Sequence, residues 1–124
     1  MTGDGARPSG RVVEIRSYVL KPGTASEFER LFREESMPLL SEARMDVVAF
    51  GASLEDPDVW YLVRSFPDLD ALARQEEAFY GSEAWRSGPR EAVLACIETY
   101  TSIAIETDEA TVDGLRRANP SRQV

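Results

Sequence analysis

The stretch "VVEIRSYVLKPG", residues 12–23, decides the fold. Its run of aliphatic residues closing on Lys21-Pro22-Gly23 reads as a buried strand that ends in a turn. Strand side chains alternate, so Glu14, Arg16, Tyr18 and Leu20 share one face, and Val13, Ile15 and Val19 the other. An acid, a guanidinium and a phenol on one face mean that this face is either wet or lines something. Apolar residues fall on both alternating sets (Val12 and Leu20 join the polar one), which argues against a wet face.

Working outward, "TASEFERLFREESMPLLSEAR" (24–44) carries Phe28, Leu31, Phe32, Leu39 and Leu40 at helical spacing. Thr24 or Ser26 is placed to cap this helix, and Pro38 to kink or split it. Residues 46–55 and 58–66 read as strands joined by the turn "EDPD", hence as antiparallel neighbours. Two helical pieces follow, the first capped by Asp68, with "YGSEAWRSGPR" breaking the pattern between them. Residues 97–106 form a fourth strand. Residues 1–10 read as a disordered leader, and 107–124 as a polar tail with room for one short helix. The order β-α-β-β-α-β predicts an α+β, ferredoxin-like domain over 11–106 with a four-stranded antiparallel sheet. Helices on one face leave the other open. Because strands one and four are apolar there too (Ile103 and Ala104 are neighbours), a homodimer packed sheet to sheet is expected.

Composition narrows the functions. A net charge of −8 and a pI near 4.6 argue against nucleic acid or an anionic membrane as partner. The absence of histidine removes His-ligated haem, His-bearing zinc and iron sites, and His general-base chemistry. Cys96 is the only cysteine, so no intrachain disulfide forms, and an inert core thiol is expected. No apolar run reaches ~20 residues, and "MTGDGARPSG" lacks the apolar segment of a secretory signal. A cytoplasmic location is the default. Phosphate loops, G-x-G-x-x-G, metal-ligand spacing and nucleophile elbows are all missing from the sequence, so neither a metal nor a cofactor is predicted.

The strand "VEIRSYVLKPG", the helix with its internal "SMPLL", the hairpin and a downstream "SEAW" together resemble the NIPSNAP family, within the dimeric α/β-barrel superfamily. The likeness spans about residues 12 to 106, and "E-x-R-x-Y-x-x-x-P-G" is its most telling part. The resemblance implies a homodimer whose two sheets make a barrel, with a ligand pocket between each sheet and its helices. Cofactor-free monooxygenases, polyketide cyclases, muconolactone isomerases, dehydratases and haem enzymes share that architecture, so it names no reaction.

Strand four carries Glu98, Tyr100 and Ser102 in alternation, and in a ferredoxin-like sheet it lies beside strand one. Arg16, Tyr18, Glu98 and Tyr100 are therefore the candidate catalytic residues, provided that register brings them to one side. Arg16 can hold a carboxylate or stabilise an enolate, the tyrosines can donate to a carbonyl oxygen, and Glu98, if buried, can serve as base. The competing reading is a cross-strand cluster that fixes register or a dimer seam. On strand three Trp60 and Arg64 share a face and are candidate substrate contacts; the plainer role for Arg64 is an ion pair with Glu34 or Glu76. Phe79, Tyr80 and Trp85 cluster around Gly81 and either cap the core or form a pocket mouth.

The function these features imply is cofactor-free oxygenation, cyclisation or isomerisation of an aromatic or polyketide-like molecule in a biosynthetic or catabolic pathway. The alternative is a non-catalytic homodimer that binds a hydrophobic small molecule or serves a structural role. Haem binding is a third reading, and would need a tyrosine, cysteine or exogenous axial ligand.

Overall fold

The computed structural model describes residues 10–120. The leader expected over 1–10 lies outside it apart from Gly10, which opens the first strand. β1 (Gly10–Leu20) leads into α1 (Ala25–Leu31), a π-helical turn (Phe32–Ser36) and α2 (Met37–Glu42). The hairpin of β2 (Asp46–Ala52) and β3 (Val59–Phe66) comes next. It is followed by α3 (Leu69–Tyr80), α4 (Glu83–Arg86), α5 (Arg90–Cys96), β4 (Ile97–Asp108) and α6 (Glu109–Ala118). All strand pairs are antiparallel, in the order β2-β3-β1-β4, which is the ferredoxin-like arrangement that the element order predicts.

Pro38 does not split the helix. Residues 25–42 stay helical, and the distortion falls one turn earlier, where the Met37 amide donates to the Phe32 carbonyl five residues back. Widening that turn accommodates a ring that has no N–H of its own to give. Thr24 takes the N-cap position, but its hydroxyl donates to the Lys21 carbonyl at 2.7 Å instead of capping α1. Asp68 does cap α3, accepting from the Ala71 amide at 2.8 Å.

The main core lies between the sheet and α1–α5. Phe28, Phe32, Phe50 and Trp60 form its aromatic centre, with Phe28 and Trp60 edge to face at 5.2 Å. Cys96 is buried there, and burial pushes its thiol up. The opposite face of the sheet is partly covered from within the chain. Asp108 caps α6 through the Thr111 amide, and Val112 packs on Val13, Val48, Ala49 and Val63. Arg116 clasps the Asp46 carboxylate at 3.0 and 3.1 Å, holding α6 against β2. Beyond the reach of α6, Ile103 stays 60% exposed and Ile105 is exposed two residues along the same strand, as is Val19 farther along β1. Among the described residues no helix is long and apolar enough to cross a membrane.

Candidate functional site

Register assembles the site. Glu14 stands opposite Arg64 of β3, and Tyr18 opposite Tyr100 of β4, all turned toward the helices. From the helical side α3 contributes Glu76 and Tyr80, four residues apart and so on one helix face.

Glu14 lies between two guanidinium groups. One of its oxygens accepts from Arg64 Nε and Nη2 at 3.1 and 2.7 Å, and the other from Arg16 Nη2 at 3.1 Å. Glu76 faces the same pair, accepting from Arg64 Nη2 at 3.1 Å and Arg16 Nη2 at 3.4 Å. The Tyr80 hydroxyl accepts from Arg64 Nη1 at 2.9 Å and Arg16 Nη1 at 3.4 Å. The Arg16 guanidinium also rests on two rings, 5.5 Å from the centre of Tyr80 and 5.0 Å from that of Tyr100. Its Nε is buried with no acceptor.

Two carboxyls and two guanidiniums in one dry cluster cannot titrate independently. Burial pushes Glu76 up to about 7, helped by its hydrogen bond with Glu14 and the charge of Glu14, against the opposing pull of Arg64 and Arg16. Burial acts on Glu14 in the same sense, but the hydrogen bond from Glu76 and the charges of Arg64 and Arg16 outweigh it and hold Glu14 below the usual carboxylate range. Tyr18 is pushed up to about 12 by burial and stays a proton donor at neutral pH. The cluster therefore holds one fixed anion and one acid–base group poised near neutrality.

That titration should be visible in stability. Folded Glu76 keeps its proton up to about pH 7, whereas the unfolded chain releases it near 4.5. Between those values the folded state binds more protons, so stability falls as pH rises. Glu14 has the opposite sign, and its contribution is lost only in acid below that window. With no histidine in the chain, little else titrates there. The melting temperature is expected to drop between about pH 5 and about pH 7.5 and to stay level in Glu76→Gln. A level wild-type profile in calorimetry would contradict a neutral-pH titration.

A cleft of about 450 Å³ opens beside the cluster. Arg16, Tyr18 and Glu76 lie at its polar side, Tyr80, Trp85 and Tyr100 supply rings, Val93, Leu94 and Ile97 an apolar wall, and Arg90 also lines it. Four of the sequence-derived candidates beside Arg16 thus converge on it: Tyr18, Tyr80, Trp85 and Tyr100. Arg64 does not line it; fully buried, it pairs with Glu14 and Glu76, while Glu34 pairs with Arg30 instead. Trp60 is core, 2% exposed and stacked on Phe50, so it is no ligand contact. Phe79 is buried against Tyr80 and Trp85, one layer behind the cleft.

Glu98 is the main correction among the expected catalytic residues. It is exposed, lies where the β1–β4 register shifts next to Val19 and Leu20, and takes no part in the cluster. The titrating acid is Glu76, which sequence reasoning named only as an ion-pair partner. Its signal was present: with Leu72, Phe79 and Tyr80 it occupies the inward stripe of α3, where a carboxylate is out of place. No group of three or more described His, Cys, Asp or Glu side chains is arranged to hold a metal ion.

Comparison with known proteins agrees with the fold. A NIPSNAP family protein from Agrobacterium tumefaciens superposes with a TM-score of 0.71 at 18% identity, over 77% of this chain and 90% of that one. A NIPSNAP-like domain protein from Burkholderia xenovorans gives 0.71 at 19% identity, over 77% and 83%. A Bordetella bronchiseptica protein named as an antibiotic biosynthesis monooxygenase gives 0.61 at 24% identity, over 81% and 97%. No curated protein matches the chain. The family model for NIPSNAP matches residues 13–105, from within β1, just before Glu14, to the last exposed isoleucine of β4, and the chain belongs to that family.

Proposed function

We propose that the cleft is the active site of a small enzyme that moves a proton on a planar, hydrophobic, oxygen-bearing molecule by way of an enolate. One observation carries this reading: Glu76, poised near pH 7, faces the cleft from within a buried cluster of two guanidiniums and a second carboxylate. Ionised Glu76 takes a proton from the carbon next to a carbonyl, and the carbonyl oxygen becomes an enolate. Before that step the two arginines and two carboxylates cancel. After it, protonated Glu76 leaves the cluster one positive charge in excess, which faces the newly formed negative one. Stabilisation thus appears only as charge develops, which is the condition for lowering a barrier. Tyr18 lines the cleft and keeps its proton, so it can offer a hydrogen bond to the oxygen. Reprotonation of the enolate at another carbon is isomerisation, its attack on an internal carbonyl is cyclisation, and its reaction with dioxygen is oxygenation. All three suit a biosynthetic or catabolic step on an aromatic or polyketide-like compound, with no cofactor required for the enolisation itself.

The test is deuterium exchange into 2-tetralone and 1-indanone, both flat bicyclic ketones, followed by proton NMR in heavy water. Acceleration by the wild type and its loss in Glu76→Gln are expected. Binding of the ketones without faster exchange would favour a non-catalytic ligand-binding dimer.

The chain is also proposed to work as a homodimer joined through the face that α6 leaves open. Ile103 stands opposite Ile15 and Ile105 opposite Val13, so the exposed isoleucines extend one apolar surface across two strands. Ile103→Lys is expected to raise the dimer dissociation constant at least about tenfold, through burial of an unpaired charge in the seam. Sedimentation velocity showing an unchanged dimer would exclude this surface.

A further inference from the structure

Arg16 and Arg64 are both engaged by Glu14 and Glu76, so this part of the cleft is neutral while both acids are ionised. Arg90 is different. It opens α5, lines the same cleft and is exposed, and no described carboxylate lies within ion-pair distance of it. The cleft therefore carries one net positive charge within a chain of net charge −8. The field of such a chain repels anions, so a local cation is what admits one. The Val93–Leu94–Ile97 wall beside Arg90 offers a ligand no polar contact.

We infer that Arg90 determines specificity: the cleft takes a monoanion, a flat apolar ring system whose single carboxylate or equivalent group is held by Arg90. The planar fork of arginine matches a carboxylate at two oxygens, which a solvated lysine does less well. Rings held between Trp85, Tyr100 and the apolar wall would extend from that anchor toward Arg16 and Glu76. This inference rests on the cleft being the ligand site, as proposed above.

Calorimetric titration with 2-naphthoate and with neutral 2-naphthamide separates the two ideas. The wild type is expected to prefer the carboxylate, and added salt to shrink that preference. Arg90→Ala should weaken 2-naphthoate about five- to tenfold while 2-naphthamide stays within about twofold, and Arg90→Lys should restore part of the loss. Because Arg90 is exposed, both variants should keep the wild-type melting temperature. An unchanged naphthoate-to-naphthamide ratio in Arg90→Ala overturns the role of Arg90 and leaves the cleft reading standing. Failure of both probes to bind the wild type, or their undiminished binding to Leu94→Trp, which fills the cleft, overturns the cleft reading and this inference with it.

Discussion

Arg64→Met is expected to destabilise the folded chain by about 3–5 kcal/mol. Arg64 is 0% exposed, and its three terminal nitrogens reach Glu14, Glu76 and Tyr80. Methionine fills much of the same volume, so little of the loss comes from a cavity. What remains is Glu14, itself buried and left with the 3.1 Å contact with Arg16 and the hydrogen bond from Glu76. A buried carboxylate that loses its main partner costs far more than the intact pair ever contributed, because the desolvation penalty stands while the compensating charge is gone. Urea unfolding at fixed protein concentration, with an unchanged denaturant slope, measures the effect. Glu14→Gln placed in the Arg64→Met background should recover a large part of it. Arg30, whose partners Glu27 and Glu34 are solvent-exposed, supplies the contrast: Arg30→Met should leave the curve where it was. Equal effects from Arg64 and Arg30 would mean that the cluster is not a dry one.

The same comparison shows what the sequence could and could not disclose. Alternation along β1 was enough to put Glu14, Arg16 and Tyr18 on one face, because a strand has period two whatever surrounds it. It could not say which stretch of that face the helices fill. Trp60 and Arg64 share a face of β3, yet Phe28, Phe32 and Phe50 close over Trp60, while Arg64 lies beneath the open cleft with Glu14 and Tyr80. Glu98 was chosen because it falls in step with Tyr100. The register shift next to Val19 and Leu20 breaks that step, and no proline or glycine within β4 announces it. The two-sided apolar pattern of β1 was legible as burial on both faces, but its cause was divided. Part of the second face is covered by α6 through Val112, the one buried residue of a largely exposed helix, which is why that helix read as tail. Arg16 had been left as either pocket wall or seam lock, and its partners are Glu14 on its own strand and Glu76 on α3. It also lines the cleft, so Arg16→Ala would disturb fold and ligand together.

Glu76→Gln avoids that ambiguity and carries the largest expected effect on activity. Exchange of the 2-tetralone α-proton is expected to fall about 10²- to 10⁴-fold, the usual contribution of a positioned general base. Glutamine keeps the length of the side chain and an oxygen that can still accept from Arg64 and Arg16, so the cleft should retain its shape. The proton acceptor is gone, and the cluster is fixed with one positive charge in excess. Three readouts should therefore move in different directions. Turnover collapses. Affinity for 2-naphthoate holds or improves, because the carboxylate that repels it at high pH has been removed. Stability near pH 7.5 also holds or improves, since ionised Glu76 is the form that folding disfavours there. A residue that merely braced the cluster would lose stability and activity together. In the wild type, kcat/KM should rise through about pH 7 as Glu76 ionises, and the residual rate of Glu76→Gln should lack that step. Full exchange activity in Glu76→Gln, or an unshifted pH profile, would remove Glu76 from the mechanism and leave the two arginines and Glu14 as a purely structural lock beneath a binding cleft.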